Sequence, residues 1–127
     1  DFIPPGFHAG GLRYHGMAPL VSHIKELGLI DAVAYHQTEC FEAGVTFARA
    51  EGILPAPEAN HAVKGAIAEA LRCKVEGTPR TILFNLCGHG HFDMQAYSDY
   101  FAGKLRDQPY DGEALAQSLA GLPQLGT

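Results

Sequence analysis

Apolar positions along this chain change period several times, and each change marks an element. Leu20, Ile24 and Leu27 recur at helical spacing after Pro19, whose missing N–H costs nothing in a first turn, and Gly28 supplies a stop. "DAVAYH", Asp31 to His36, is short, apolar and β-compatible, so it reads as a strand. Thr38 stands where a cap is expected for a second helix. Its Phe41, Gly44, Val45 and Ala48 share one face at i, i+3, i+4 and i+7, and Gly52 closes it. Beyond "ILPAP", Pro57 and Glu58 fit the first turn of a long helix, where a carboxylate also complements the helix dipole. Val63, Ala66, Ile67, Ala70 and Leu71 form the buried stripe expected of it, and Gly77 and Pro79 end it. "RTILFNLC", Arg80 to Cys87, is the clearest strand, an unbroken apolar run of the kind covered on both faces in parallel sheets. Asp93 can cap a helix carrying Met94, Tyr97 and Phe101, and Asp111 a last one carrying Leu115, Ser118, Leu119 and Leu122.

The order helix, strand, helix, helix, strand, helix, helix predicts an α/β fold: one layered helix/sheet domain over residues 1–127 with a small, mostly parallel sheet. Residues 1–16 read as loop and 106–127 as a C-terminal helix and tail. Two strands are too few for a stable sheet, so either further strands come from chain upstream or the segment repacks differently. The opening "DFIPPGFHAGGLRYHGMAP" has no initiator Met and is rich in Gly and Pro, which reads as the interior of a longer polypeptide.

Composition narrows the function classes. With 127 residues, 46% hydrophobic and 18% charged, the chain can bury one core. A net charge of −5 without any Lys/Arg cluster argues against a nucleic-acid surface. No apolar run approaches the roughly 20 residues that span a bilayer, so no membrane association is expected. Cys40, Cys73 and Cys87 are odd in number and form no CxxC pair, which fits reduced thiols in a cytoplasmic protein.

The chemistry-bearing stretch is "RTILFNLCGHGHFDMQAY", where a strand-like run discharges into two glycines and two histidines with a cysteine at the lip. His89 and His91 could pinch a metal, but zinc wants three or four ligands, and His8, His15 and His61 are scattered on other segments. Cys87 as a nucleophile would need a base and an electropositive pocket, and a thiol after a buried strand is commonly a small apolar residue. A third reading puts the strand's carboxyl end at a ligand crevice. Gly88 and Gly90 would then let the backbone approach a flat ligand, with Cys87 at its edge. Glu58, in "PAPEANHA", marks a second junction that could share that pocket, against the plain reading of a solvated first-turn carboxylate. "HAGGLRYHG" lacks both the GxGxxG and the lysine-bearing phosphate-loop patterns, so irregular loop is the default.

"HAGGLRYHGMAP", "FARAEGILPAPEANHA" and "NLCGHGHFDM", in this order and spacing, resemble the C-terminal part of the tryptophan synthase β-chain family, most closely its divergent second type. The similarity runs from about Gly6 to Leu105. It implies the C-terminal part of a fold type II enzyme dependent on pyridoxal 5′-phosphate (PLP), in which indole replaces the hydroxyl of L-serine to give L-tryptophan and water. Matched motif by motif, the family's glutamate beside the cofactor's phenolic oxygen falls on Glu58. The small hydroxyl residue that hydrogen-bonds the pyridine nitrogen falls on Cys87, with Gly88 and Gly90 making room for the ring and the turn behind it. A thiol departs from the usual Ser and is a weaker donor, which puts the family's tuning of the ring in doubt. Arg13 stands where the ordinary β chain has an Asp that organises substrate. Tyr14 and Gly16 match positions whose backbone carbonyls hold a monovalent cation.

The resemblance also implies a homodimer and leaves open whether an α subunit is needed. The family's Schiff-base lysine, phosphate-cradling loop and catalytic glutamate all belong upstream, and Lys25, Lys64, Lys74 and Lys104 sit in none of the expected surroundings. The chain alone is therefore expected to be inactive. Two rivals stand beside this reading: another fold type II member, such as a threonine synthase or serine dehydratase relative, and a non-enzymatic domain that associates through apolar surface.

Overall fold

Five α-helices supply the regular structure of the residues that the computed structural model describes, 6–14, 16–108 and 112–121. They are α1 (Pro19–Glu26), α2 (Gln37–Glu51), α3 (Pro57–Glu76), α4 (Met94–Phe101) and α5 (Gly112–Leu119), with short 3-10 turns at Gly10–Leu12 and Gly90–Phe92. Asp111 and Leu122 lie outside the described residues, as do the side chains of Leu115, Ser118 and Leu119. None of the helices is long and apolar enough to cross a membrane.

The breakers fall where the sequence puts them. Pro19 and Pro57 open α1 and α3. Gly52 and Gly77 close α2 and α3 in the left-handed conformation, at φ 70° and 66°, which an L side chain rarely adopts. One cap differs. His36, not Thr38, caps α2, and the Glu39 carboxylate reaches back to accept the His36 N–H at 2.8 Å. Thr38 sits inside the first turn, where its N–H donates to Asp107 at 3.1 Å and its hydroxyl donates to the same carboxylate.

The core lies where α2 crosses the N-terminal half of α3 and meets α4. Cys40, Phe41, Ala43 and Gly44 of α2 are buried against Ala59, Asn60 and Val63 of α3 and Ala96 and Tyr97 of α4. Phe41 meets Tyr97 edge-on at 5.0 Å between ring centroids and stacks on Tyr100 at 5.7 Å. The α3 stripe is shorter than expected. Val63 is buried, Ala66 and Ile67 are half-buried, and Ala70 and Leu71 face outward, because the far half of α3 runs on past α2. On α4, Met94 and Phe101 likewise point outward while Ala96 joins Tyr97 inside.

Among the described residues no strand forms, and an isolated antiparallel bridge joins Pro55 and His89. The segments 31–36 and 80–87, read as strands from their apolar pattern, carry no ladder. A strand is defined by its partner, and these two do not pair with each other. Side chains hold the second segment against the helices: Phe84 meets Phe47 edge-on at 5.9 Å, and Arg80 pairs with Glu69 at 3.3 Å and Glu76 at 3.6 Å. Leu83, on its other face, is 94% exposed.

Candidate functional site

Two turns meet at the N-terminal end of α3. The first, residues 54–57, is stiffened by Pro55 and Pro57 and leads into the helix that carries Glu58 in its first turn. The second, residues 87–90, follows the extended segment 80–87. It needs glycine twice, for different reasons. Gly88 has φ 77°, a left-handed backbone. Gly90 is packed so closely that an added Cβ would lie 2.5 Å from the Pro55 carbonyl oxygen and 3.0 Å from the Tyr97 ring.

The turns are stitched by backbone hydrogen bonds on either side of Pro55. Gly90 N–H donates to Leu54 O at 2.8 Å, and Ala56 N–H donates to Gly88 O at 3.3 Å. A buried knot locks the join. Tyr97 Oη donates to Pro55 O at 2.7 Å, and Asn60 Nδ2 donates to Tyr97 Oη at 3.0 Å. Asn60 is fully buried and Tyr97 is 3% exposed. Burial pushes the Tyr97 phenol above its ordinary value, outweighing the Asn60 hydrogen bond, so it stays protonated and able to donate. Gly44 on α2 leaves the space that the Asn60 carboxamide fills.

Glu58 is half-buried at the lip, and its Oε1 accepts the Gly11 N–H at 2.8 Å. That bond ties the turn Gly10–Leu12 to the start of α3. Gly11 has little room for a side chain, since a Cβ there would come within 3.1 Å of the Glu58 side chain. Cys87 is exposed with a free thiol. Cys40 is the opposite case: burial, with Glu39 nearby, pushes its thiol up to about 12, which leaves it protonated and unreactive at neutral pH. Tyr14 and Gly16 are exposed, on the loop that leaves this turn; His15 lies outside the described residues.

His89 Nδ1 accepts the His91 N–H at 3.3 Å, and the two rings lie 4.9 Å apart between centroids. Among the described residues no three His, Cys, Asp or Glu side chains gather as a metal set. His61 Nδ1 lies 3.1 Å from Pro57 O and its ring borders an apolar-sided cavity of about 520 Å³ with Phe7, Leu12, Val33 and Tyr35.

The sequence points to the junctions carrying Glu58 and Cys87, and the fold brings those junctions together. It gives Gly88 and Gly90 separate work, because the space beside Gly90 is filled by the chain's own Pro55 and Tyr97. Sequence reasoning passes over Asn60. Its signal is a polar side chain three residues before Val63, on the apolar stripe of α3, where a buried amide demands a partner.

No protein-family model matches the chain. Curated proteins do. It is 64% identical over 107 residues to "Tryptophan synthase beta chain 2" of Aquifex aeolicus, 84% of this chain and 25% of that protein. It is 58% identical over 103 residues to the protein of the same name in Methanosarcina acetivorans, 81% of this chain and 23% of that protein. It is 52% identical over 122 residues to "Tryptophan synthase beta chain" of Pyrococcus horikoshii, 96% of this chain and 26% of that protein. The chain thus spans about a quarter of the length of the relatives it matches. At that identity over nearly all its residues, it belongs to the tryptophan synthase β-chain family, type 2 members included, as a segment of such a chain.

Proposed function

We infer that this chain forms one wall of the PLP pocket of a tryptophan synthase β chain. The observation that carries the reading is the join itself: segment 54–57, which leads into the family-matched Glu58, and segment 87–90, which begins at the family-matched Cys87, are hydrogen-bonded to each other at the mouth of α3. When bound, the cofactor supplies an electron sink for replacing the hydroxyl of L-serine by indole. The residues present fit a ring and not its phosphate. Gly88 offers a left-handed turn with exposed backbone, Cys87 an accessible neutral donor for the ring nitrogen, and Glu58 a carboxylate for the phenolic-oxygen edge. Phosphate cradle and lysine come from the rest of the longer chain. A neutral partner at the nitrogen leaves the ring less electron-withdrawing than a carboxylate would, which favours loss of the β-substituent over other outcomes.

On this reading the protein is a cytoplasmic homodimer of longer chains built around a mostly parallel sheet. The segments 31–36 and 80–87 are strands of that sheet, an α subunit docks on the dimer, and a monovalent cation sits on the Tyr14 and Gly16 carbonyls. The 127-residue chain alone is inactive.

The test compares the longer chain carrying this sequence with the chain alone, each mixed with PLP, L-serine and indole. Tryptophan is expected from the first and not the second. A longer chain that binds PLP but makes no tryptophan, while deaminating serine or threonine, would instead favour the fold type II relative. Exposed Leu83 (94%), Phe92 (92%) and Val75 (89%) support a second reading for the piece alone, association through apolar surface. Sedimentation showing a concentration-independent monomer would remove it.

A further inference from the structure

We propose that Asn60 and Tyr97 are positioning residues of the cofactor pocket: their buried pair, by holding the Pro55 carbonyl against Gly90, sets the spacing between the turn that leads to Glu58 and the turn that follows Cys87. The proposal rests on the cofactor reading above.

The chain of contacts is short. Asn60 Nδ2 donates to Tyr97 Oη at 3.0 Å, which turns the single phenolic proton toward Pro55 O, 2.7 Å away. The Asn60 oxygen is farther from Oη, at 3.2 Å, and packs over Gly44. Pro55 stands between Leu54 and Ala56, whose backbone groups make the two cross-turn bonds to Gly90 and Gly88. Any rotation of the Pro55 peptide therefore moves both bonds together. The Tyr97 ring does separate work, packing on Phe41, so the hydroxyl can be removed with the core contact kept. Both side chains are buried, and in this positioning role neither binds or transfers anything.

Amide hydrogen exchange on the chain itself separates positioning from general stability. In Tyr97→Phe, the Ala56 and Gly90 amides should exchange about tenfold faster, the loss expected when one buried hydrogen bond goes, while the α2 amides of Ala48 and Gly52 keep their rates. Asn60→Ala should act in the same direction and serves if Tyr97→Phe folds poorly. Phe41→Leu, a core change that leaves the carbonyl alone, should instead speed exchange in α2 and the turns alike. Uniform acceleration in Tyr97→Phe, or unchanged Ala56 and Gly90 amides, would overturn the proposal.

A second measurement is the PLP absorption band of the longer chain. Tyr97→Phe should move it, as Glu58→Gln and Cys87→Ala should. If those two variants move the band and Tyr97→Phe does not, the positioning role falls. If neither of the two moves it, the cofactor reading falls whatever the exchange rates show.

Discussion

The crossing of α2, α3 and α4 and the extended segment 80–87 are both apolar in sequence, yet the fold treats them oppositely. At the crossing, Phe41, Ala59, Val63 and Tyr97 are each no more than 3% exposed, and the one buried amide is hydrogen-bonded. In segment 80–87 the cover is partial: Ile82 and Phe84 are half-buried, while Leu83 is 94% exposed and Leu86 is exposed as well. A helix satisfies its own backbone and needs only a face to pack, so two helices complete each other locally. An extended segment needs a neighbour for its backbone and a cover for each face, and here it has a cover for one.

That contrast is broken most severely at its strong end. Phe41→Ala deletes a ring that touches Tyr97 and Tyr100, and should cost about 3–5 kcal/mol, read from the denaturant midpoint. A loss under about 1 kcal/mol would mean the crossing is not the core. Gly44→Ala comes next. The new methyl meets the Asn60 carboxamide, which cannot retreat without releasing Tyr97, so overpacking of about 1–3 kcal/mol is expected. The double variant Gly44→Ala/Asn60→Ala should recover part of that loss, and strict additivity would deny that the two residues touch.

What the sequence made legible follows the same division. Helix limits were readable because proline, glycine and acidic first turns act locally: Pro57, Gly52 and Gly77 fall at the ends they mark. The α2 stripe was readable because its period matches its partner's position. The α3 stripe continues in sequence to Ala70 and Leu71 but not in burial, since periodicity shows which face is apolar and not how far the neighbouring helix extends. The cap on α2 escapes the local pattern for a related reason. Thr38 has the right chemistry, but Asp107, 69 residues away, claims its hydroxyl, and no local pattern shows that. Segments 31–36 and 80–87 are strand-like in composition alone, and among the described residues neither finds a pairing partner. For the site, residue type and motif spacing led to Glu58 and Cys87, whereas the Asn60–Tyr97 knot depends on a tertiary crossing.

A smaller effect comes from pH at the edge of the strong region. Burial works against the Asp107 charge, but the Thr38 hydroxyl and N–H, with His36 nearby, outweigh it and hold the carboxyl below its ordinary value. The His36 N–H, then Lys64 at 3.0 Å, does the same for Glu39. A carboxyl depressed by folding contributes stability that is fully present above its unfolded value and lost as pH falls through the folded one. The ordinary values are 3.8 for Asp107 and 4.5 for Glu39, so the melting temperature should hold at neutral pH and decline below about pH 4.5. Asp107→Asn should lower the melting temperature at pH 7 by a few degrees at most and flatten the acid limb. An unchanged acid limb would show that the tether from residue 107 to α2 contributes nothing.

The smallest effect is the most informative about the weak region. Leu83→Ala in this chain removes a side chain that touches water on nearly all sides, so stability should move by no more than about 0.5 kcal/mol. The same substitution in the longer chain tests whether segment 80–87 becomes a covered strand there. If a sheet forms over it, Leu83 is buried and its loss should cost about 2–5 kcal/mol. An equally small effect in both would mean that Leu83 faces water in the complete protein too, and the apolar run could not be a central strand. The two numbers bear on different things, one on the piece and one on its setting, and only their difference measures how much of this segment's sequence was written for a neighbour.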